Sequence, residues 1–285
     1  MSRIVHVNGE YLPEASAGVS IFDRGFLFAD AVYEVTAVIE GRLVDFDAHM
    51  ARLRRSLGEL DIAFDPDAAG LLERHRELIR RNALEEGLVY LQISRGAVDR
   101  SFLQPAHAAP TVVLFTQEQS LLDPPAAERG LRVMTRPDQR WHRRDIKTTQ
   151  LLYPSMMKTL AHRHGLDDVW MVEDGAVTEG SSSNAHIIDA NGDLITRPTT
   201  QAILHGITRA AVLDYARAAD VQVVERPFTV AEAQNAREAF ITSATAFVTP
   251  VVAVDGVTIG DGRPGPATRQ IRARYIAHSR RRLTG

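Results

Sequence analysis

Two short stretches, Asp145–Thr149 (D-I-K-T-T) and Val177–Asn184 (V-T-E-G-S-S-S-N), decide how the rest of this sequence is interpreted. The first is typical of a short strand and carries Lys147. The second is typical of a strand edge followed by a turn, and it carries Glu179. Lysine and glutamate side chains can both exchange protons, so this pair is the candidate active site.

Lysine is scarce in this chain. Of 33 basic residues, only Lys147 and Lys158 are lysines, and all the others are arginines. A desolvated lysine can form a Schiff base or move a proton at neutral pH, whereas an arginine is too basic for either role. The alternative is that each lysine occupies its position by chance.

The two lysines differ in their predicted surroundings. A helical pattern spans residues 152–164, and its predicted buried stripe consists of Leu152, Met156, Leu160 and His164. Lys158 lies off that stripe and is predicted to be exposed. Lys147 follows Ile146 in the extended segment, where alternation directs its side chain to the opposite face. Only Lys147 is therefore placed for chemistry.

The composition is that of a globular chain. With 285 residues, 45% hydrophobic and 24% charged, it is long enough for two domains with their own cores. The formal charge of −3 predicts no nucleic-acid partner, and the absence of cysteine excludes disulfides and thiolate metal sites. No apolar run approaches the ~18 residues of a membrane span, and no signal-peptide core is present. We therefore expect a cytoplasmic protein with no membrane partner.

The first half is predicted to be a small α+β domain over residues 1–117. Asn8-Gly9 and Glu40-Gly41 each lie between alternating apolar segments and predict two β-hairpins. Asp47 is expected to open an amphipathic helix, and a second helix is expected at about 68–82. The predicted buried stripe of the first helix consists of His49, Leu53, Leu57 and Leu60. Two strands, L-V-Y-L-Q-I-S-R and T-V-V-L-F-T, complete the domain.

A change of composition separates the two halves. The stretch Q-E-Q-S-L-L-D-P-P-A-A-E-R-G has paired prolines and no periodicity, which predicts an interdomain linker at 118–124. The second half, residues 125–285, contains more predicted strands than helices, and its several hairpins indicate a closed or nearly closed sheet. A helix is expected after Gly206, and a terminal helix from about residue 266.

Common nucleotide, acyl-transfer and metal motifs are missing from the sequence. Neither lysine follows a glycine, so a phosphate loop is excluded, and neither G-x-S-x-G nor G-x-G-x-x-G occurs. His162 and His164 point to different faces of a predicted helix, so no metal site is expected. Gly206 precedes a predicted helix whose first N–H groups, at Ile207 and Thr208, favour an anion. This pattern predicts a phosphate site, although an ordinary helix start has the same pattern.

A phosphate site, a reactive lysine and a buried carboxylate together match pyridoxal phosphate. The sequence resembles the class IV aminotransferases over essentially its whole length, and it looks most like the D-amino acid transaminases. The blocks that carry the resemblance are D-R-G-F-L-F-A-D-A-V-Y-E-V, D-F-D-A-H-M-A-R-L, R-R-D-I-K-T-T, V-T-E-G-S-S-S-N, L-H-G-I-T-R and I-T-S-A-T-A-F-V-T-P. The resemblance implies fold type IV, of mixed α+β and α/β class. A small α+β domain would precede a larger pseudo-barrel domain, with pyridoxal phosphate in the cleft between them.

The resemblance also assigns roles to individual residues. It implies that Lys147 forms the Schiff base with pyridoxal phosphate and moves the proton, and that Glu179 lies beside the pyridine nitrogen. Arg52 matches a phosphate-binding arginine, where the bare sequence suggests an arginine on a helix surface. Tyr33 matches a tyrosine near the lysine and would otherwise be an ordinary strand aromatic. The other residues that match cofactor contacts are Ser182, Leu204, Ile207, Thr208 and Ser243.

Some positions depart from the family's pattern. In D-specific members, a loop arginine followed two residues later by a histidine binds the substrate carboxylate. Here Arg100 is present but Phe102 occupies the histidine's place, so we expect a weaker carboxylate grip and room for an apolar substituent. Ala244 stands where a second phosphate-binding hydroxyl is usual, and His186 replaces a common aromatic residue.

These matches predict a transaminase that acts on D-amino acids such as D-alanine and D-glutamate, with 2-oxo acids such as pyruvate and 2-oxoglutarate. The alternatives with the same cofactor are, in order, an (R)-selective amine transaminase, an aminodeoxychorismate lyase and a branched-chain L-amino acid transaminase. A non-catalytic binding protein on the same scaffold is the alternative from another class. The resemblance also implies a homodimer, in which the loop around Arg100 completes the neighbouring subunit's cleft.

Overall fold

The structure is a computed structural model that describes residues 2–219 and 221–284. The chain folds into two compact units. The first consists of Met1–Ser120, Ile146–Gln150 and Arg282–Gly285, and the second of Leu121–Asp145 and Leu151–Arg281. The predicted domains, 1–117 and 125–285 with a linker at 118–124, are continuous stretches, and they stay a prediction. No helix among the described residues is long and apolar enough to cross a membrane.

The first unit is built on a six-stranded antiparallel sheet in the order β2-β1-β6-β5-β3-β4. Its strands are β1 Ile4–Val7, β2 Glu10–Pro13, β3 Ala31–Ile39, β4 Arg42–Leu43, β5 Glu86–Ser94 and β6 Thr111–Glu118. Its α-helices are α1 Arg24–Phe28, α2 Phe46–Glu59 and α3 Leu71–Arg81, with a 3-10 turn at Glu14–Ser16. Helix α2 packs on β3, and α3 on β1 and β6.

Both predicted hairpins of this unit are confirmed. Strand β1 pairs with β2 around Asn8-Gly9, and β3 with β4 around Glu40-Gly41. All four turn residues have positive φ, as two-residue hairpin turns of the twisted type require. The short strand β4 pairs on its outer side with Thr284, whose N–H and carbonyl both bond to Leu43, at 2.9 and 3.0 Å.

The helices of the first unit begin and end close to their predicted positions. Helix α2 begins at Phe46, one residue before the predicted start at Asp47. Three residues of the predicted stripe, His49, Leu53 and Leu57, are buried as expected. Leu60 follows the last helical residue, so it caps the helix and does not extend its stripe. Helix α3 spans Leu71–Arg81, within the predicted 68–82.

The second unit contains a nine-stranded mixed sheet in the order β12-β11-β10-β13-β14-β7-β8-β9, with β15 paired to β14. Its strands are β7 Leu131–Pro137, β8 Asp168–Glu173, β9 Ala176–Gly180, β10 Asn184–Ile188, β11 Leu194–Thr196, β12 Val223–Glu225, β13 Glu238–Ser243, β14 Phe247–Val254 and β15 Val257–Thr258. Its helices are α4 Pro125–Arg129, α5 Leu152–Arg163, α6 Ile207–Ala218, α7 Val230–Gln234 and α8 Pro266–Arg281.

This sheet cannot be flat. Strands β9 and β10 are five positions apart in the sheet order, which corresponds to about 24 Å across a flat sheet. The chain passes from Gly180 to Asn184 through a short turn, and four residue steps reach at most about 14 Å. The sheet therefore curls towards a half-barrel, as the hairpin-rich sequence predicted. Its core contains Trp170 and Phe228, whose rings meet edge to face at 6.0 Å.

The predicted buried stripe of helix α5 is wrong. Leu152 and Met156 are 76% and 53% exposed, whereas Pro154 and Ala161 are buried. The helix carries apolar side chains around much of its circumference, so the pattern alone does not select the face that packs against β8. The prediction that Lys158 is exposed is confirmed, because 53% of its side chain is accessible.

The segment that carries Lys147 is not a strand, contrary to the prediction. Residues 146–150 form only an isolated bridge, between Thr148 and Val32 of β3. The backbone is nevertheless held on both sides of the lysine. Tyr33 N donates to Lys147 O at 3.0 Å, and Thr149 N donates to the carbonyl of Ala31 at 3.1 Å. The end of β3 therefore fixes this segment without extending the sheet.

Candidate functional site

Lys147 and Tyr33 are brought together in the first unit. The Nζ atom of Lys147 lies 4.0 Å from the centroid of the Tyr33 ring, which is a cation–π distance. The amide of Lys147 donates to Oγ of Ser56, on helix α2, at 3.3 Å. Backbone and side chain of the lysine are thus positioned by β3 and α2 together.

Tyr33 is the end of an aromatic row across three strands. Its ring stacks on Tyr90 of β5 at 5.5 Å and 23°, and Tyr90 stacks on Phe115 of β6 at 4.7 Å and 18°. The hydroxyl of Tyr90 donates to Gln92 at 2.8 Å. Offset stacking of this kind restricts ring rotation. The row therefore helps to hold the Tyr33 ring that the lysine amine contacts.

Arg52 belongs to a buried charge cluster with Glu34 and His49. Nε and Nη2 of Arg52 donate to the two carboxylate oxygens of Glu34 at 2.8 and 2.7 Å, and Nδ1 of His49 lies 2.7 Å from Glu34 Oε2. Burial raises the pKa of Glu34, but the charge of Arg52 and the hydrogen bonds outweigh it and lower that pKa to about 2. The side chain of Arg52 is 9% exposed, so the alternative of a helix-surface arginine is wrong.

In the second unit, Glu179 lies near the end of β9 with both carboxylate oxygens engaged. Oε2 accepts from Asn184 Nδ2 at 2.9 Å and from the backbone N–H of Leu204 at 3.0 Å. Oε1 accepts from Nη1 of Arg140 at 2.6 Å. Burial is the largest influence and raises the pKa of Glu179, while Arg140 and the Leu204 N–H oppose it. Two predicted cofactor residues, Glu179 and Leu204, are therefore in direct contact.

Arg140 shares its charge with a second carboxylate, Asp138. Nε and Nη2 of Arg140 bind the two oxygens of Asp138 at 2.9 and 2.6 Å, and Thr178 Oγ1 donates to the same group at 2.6 Å. Burial raises the pKa of Asp138, but the bonds from Arg140 and Thr178 lower it overall. Because Asp138 holds the arginine through a bidentate pair, Arg140 presents a single N–H to Glu179.

Gly206 precedes helix α6 and contacts the same asparagine. Its φ of −68° is open to any residue, but a Cβ at this position would lie 2.0 Å from Oδ1 of Asn184. Glycine is therefore required here by space and not by backbone conformation. The first N–H groups of α6, at Ile207 and Thr208, have no carbonyl partner within the helix. The predicted anion site thus lies at a helix start whose preceding glycine packs against Asn184, a hydrogen-bond partner of Glu179.

The remaining cofactor candidates of the second unit are Thr208, Ser243 and Ser182. Oγ1 of Thr208 lies 3.4 Å from the hydroxyl of Tyr275, and Oγ of Ser243 accepts from Ala246 N at 3.0 Å. Ser182 is exposed in the turn between β9 and β10. These positions are compatible with their predicted roles, which stay predictions.

His186 lies one strand position beyond Ala185 in β10 and is buried. Its ring stacks on Phe240 at 4.6 Å and 5°, and Nε2 lies 3.0 Å from Oγ1 of Thr242. Burial, with the positive charge of Arg209 as a smaller cause, lowers the pKa of His186 well below its ordinary value. A neutral ring stacked in this way fills the place of an aromatic side chain.

Arg100 and Phe102, the predicted substrate residues, lie in the loop between β5 and β6 of the first unit. The Cζ atom of Arg100 is 5.3 Å from the Phe102 ring centroid and 5.5 Å from that of Phe28. The arginine that was expected to bind a carboxylate thus contacts two aromatic rings.

Several site residues were not predicted from the sequence. Glu34 carried a usable signal, because a carboxylate in the apolar strand A-V-Y-E-V-T-A-V-I needs a buried partner. Arg140 and Asn184 carried none, since their importance follows from contacts to Glu179 over 39 and 5 positions. Sequence spacing does not determine such pairings.

Comparison with known proteins identifies the family. The sequence profile of amino-transferase class IV matches residues 31–254. The chain belongs to the class IV aminotransferases. Among similar proteins, D-alanine aminotransferase from Bacillus licheniformis is 38% identical over 266 residues, 93% of each chain. D-alanine aminotransferase from Staphylococcus aureus (strain N315) is 36% identical over 270 residues, 94% of each chain.

Solved structures share the fold of this class IV aminotransferase. The branched-chain amino acid aminotransferase of Escherichia coli matches with a TM-score of 0.89 and 25% identity, over 97% of this chain and 94% of that one. A PLP-bound hypothetical aminotransferase from Mycobacterium tuberculosis has a TM-score of 0.83 at 23% identity, with 96% and 98% covered. The predicted family and fold type IV are confirmed.

Class IV aminotransferases depend on pyridoxal phosphate, so the cofactor prediction is confirmed for this family member. The residues of the chain fit that group. A primary amine, a buried carboxylate and a helix start behind a close-packed glycine are all present. Burial raises the pKa of Glu179, and a positively charged ring nitrogen beside it would relieve that cost.

Proposed function

We propose that this class IV aminotransferase transfers amino groups from D-amino acids, such as D-alanine and D-glutamate, to 2-oxo acids, such as pyruvate and 2-oxoglutarate. The observation that carries the proposal is the 38% identity to a D-alanine aminotransferase over 93% of each chain. The lysine on the face of Tyr33 supports amino-group transfer, because it is a primary amine fixed by backbone and ring contacts.

Several residues are proposed to bind the cofactor. Arg52, and the N–H groups of Ile207 and Thr208, would bind its phosphate, with the hydroxyls of Ser182 and Ser243 as further contacts. The side chain of Leu204 would pack against the ring. Glu34 keeps Arg52 charged and oriented, since it binds two of the guanidinium nitrogens.

In the proposed chemistry, the proton on the donor's Cα is moved, while the proton on the ring nitrogen of the cofactor is retained. Pyridoxal phosphate, when bound, accepts the electron pair that is left when the donor's Cα–H bond breaks. Lys147 is proposed to take that proton from Cα and to deliver it to C4′ of the cofactor, and Tyr33 would hold the amine in place. Glu179 is proposed to keep a proton on the ring nitrogen through its carboxylate. Arg140 orients this carboxylate through its bond to Oε1.

An (R)-selective amine transaminase is the second candidate. The observation that favours it is Phe102, whose apolar side chain is 80% exposed beside Arg100. A ring in that position cannot donate a hydrogen bond to a carboxylate, but it can contact a phenyl or alkyl group. Branched-chain activity and lyase activity are weaker candidates, and they appear as outcomes of the experiment.

A donor panel tests the proposal. The holoenzyme is assayed with D-alanine, L-leucine and (R)-1-phenylethylamine, with 2-oxoglutarate as acceptor, and with D-glutamate, with pyruvate as acceptor. Each donor is tested in the parent and in Arg100→Ala. We expect D-alanine to be the best donor and to lose most of its activity in Arg100→Ala, with a slow rate for the amine. L-leucine as the best donor would overturn D-specificity. Release of pyruvate from aminodeoxychorismate without an acceptor would indicate the lyase.

We also propose a homodimer and a cytoplasmic location. The support for the dimer is an apolar patch on the first unit that consists of Val19, Ile21, Phe22, Phe26, Phe102 and Leu103. Its two segments are joined where Val98 N donates to Phe22 O at 3.3 Å. Apolar patches of this kind are rarely left exposed on monomers, and a second copy of the chain is the partner that we propose.

A further inference from the structure

Arg100 lies in an aromatic clip formed by Phe28 and Phe102. The Cζ atom of Arg100 is 5.5 Å and 5.3 Å from the two ring centroids, and the centroids are 5.6 Å apart. The three centres therefore form a nearly equilateral triangle. The rings meet edge to face at 68°, so each ring contacts the cation and the other ring.

Helix α1 holds the clip in place. Phe28 is the last residue of helix α1, and the Cζ atom of Arg24, at the start of that helix, lies 4.5 Å from the centroid of its ring. Arg24 Nη1 donates to the carbonyl of Ser101 at 2.7 Å, and its Nε donates to Asp30 at 2.7 Å. The backbone between Arg100 and Phe102 is thus attached to α1, which brings Phe102 back onto Phe28.

The hydrogen-bonding edge of Arg100 is unused in the part of the chain that the structure describes. Its interactions there are the two ring contacts, and no hydrogen bond or ion pair involves it. An arginine presents up to five N–H donors around the edge of a planar group, while its faces remain apolar enough to contact rings. Aromatic contacts therefore orient this side chain without consuming its donors.

We propose that Phe102 is a positioning residue that sets the affinity for carboxylate-bearing donors through Arg100. This inference rests on the proposed function and deepens it. An unrestrained arginine loses rotamer freedom when it grips a ligand, and a clip that restrains it beforehand removes part of that cost. Phe102 thereby contributes to carboxylate recognition although its ring has no donor. The edge-to-face contact with Phe28 also holds the Phe102 ring in place.

The test compares variants at position 102 that separate ring character from bulk. Phe102→Tyr keeps the ring, and Phe102→Leu keeps an apolar side chain of similar size without one. The measured quantity is the ratio of the Michaelis constant for D-alanine to that for (R)-1-phenylethylamine, which has no carboxylate. We expect Phe102→Leu to raise this ratio about two- to five-fold, as loss of one exposed cation–π contact implies. Phe102→Tyr should give a ratio close to that of the parent.

Leu103→Ala is the matched control, because Leu103 is 81% exposed in the same apolar patch and lies next to Phe102. Sedimentation of each variant at the assay concentration shows whether the oligomer is the same. The clip is overturned if Phe102→Leu behaves as the parent does, or if Leu103→Ala raises the ratio equally. A larger effect on (R)-1-phenylethylamine than on D-alanine would overturn it as well, since Phe102 would then contact substrate directly.

Failure of the clip is distinguishable from failure of the proposed function. If the parent prefers L-leucine to D-alanine, the D-amino acid proposal fails, but the same ratio can be measured with L-leucine, which also carries a carboxylate. A ratio that still rises in Phe102→Leu and not in Phe102→Tyr supports the clip in that case. If D-alanine is the preferred donor and the ratio does not change, the clip alone is wrong.

Discussion

Arg140 and Glu179 form a buried ion pair in which Nη1 donates to Oε1 over 2.6 Å. The other carboxylate oxygen, Oε2, already accepts two hydrogen bonds, from Asn184 and Leu204. A carboxylate oxygen accepts about two such bonds, so Oε1 is the atom with remaining capacity. A further donor, such as a protonated ring nitrogen, is therefore expected to bind Oε1 beside Arg140.

Replacing Arg140 should make Glu179 harder to ionise. In Arg140→Gln, burial of Glu179 remains while the opposing charge is lost, so its pKa rises further above the ordinary value. We expect slower single-turnover reaction of the holoenzyme with D-alanine, by about tenfold for each unit of pKa, with the largest deficit at low pH. Arg129→Gln, which removes an exposed arginine that pairs with Asp167, is the control. Equal rates in Arg140→Gln and the parent would contradict the role.

Lys147→Ala should abolish transamination and the absorbance of the covalently held cofactor. No other lysine can replace it, because Lys158 is half-exposed on helix α5, where its Nζ lies 3.9 Å from Asp168. Lys158→Ala should retain the rate and the absorbance of the parent. The assignment would be reversed if the Lys158 variant lost turnover and the Lys147 variant kept it.

Glu34 should make the stability of the protein pH-dependent in acid. Because its pKa falls from 4.5 to about 2 on folding, its contribution is fully present above about pH 4.5 and is lost as pH falls towards 2. Glu34→Gln leaves Arg52 buried without its carboxylate, which costs about 3 kcal/mol at neutral pH. Urea unfolding of both proteins should show this difference shrinking as pH is lowered below 4.5. A difference that does not change with pH would refute the assignment.

Gly206→Ala should weaken both cofactor binding and stability. The added Cβ would meet Oδ1 of Asn184 at 2.0 Å, so Asn184 must move and its bond to Glu179 is disturbed. We expect a loss of about 1–3 kcal/mol in unfolding free energy, as for other overpacked sites, and a higher dissociation constant for pyridoxal phosphate. Gly58→Ala is the control. Nothing lies within 4 Å of a Cβ there, and alanine favours the helix, so stability should not fall.

The proposed dimer should depend on the apolar patch. Phe26 is 72% exposed within it, and Phe26→Glu would place a charge where the second copy is expected to pack. Sedimentation velocity should show this variant shifting towards monomer at concentrations where the parent is dimeric. Val257→Glu, at an exposed apolar residue of β15 outside the patch, should sediment as the parent does. A parent that sediments as a fully active monomer would exclude the dimer.

The sequence was most informative where structure is local. Asn8-Gly9 specified its hairpin because positive φ at two adjacent residues is a short-range requirement. Lys147 and Glu179 were predicted as site residues from their chemistry and from family resemblance, and these roles stay predictions. The strand predicted around Lys147 is absent, since bonds to β3 hold that backbone instead. The pairing of Arg140 with Glu179 joins residues 39 positions apart, and no local pattern encodes it.

The pairing of Leu43 with Thr284 has a consequence for the order of folding during synthesis. The first unit receives backbone bonds to its edge strand β4 from Thr284, and it receives Lys147 from the segment Ile146–Gln150. The N-terminal 120 residues can form the six-stranded sheet as they leave the ribosome, but they lack the lysine and the final backbone pairing. A truncation after Ser120 would therefore produce a sheet that lacks the proposed catalytic lysine. Completion of this unit waits until Thr284 has been made.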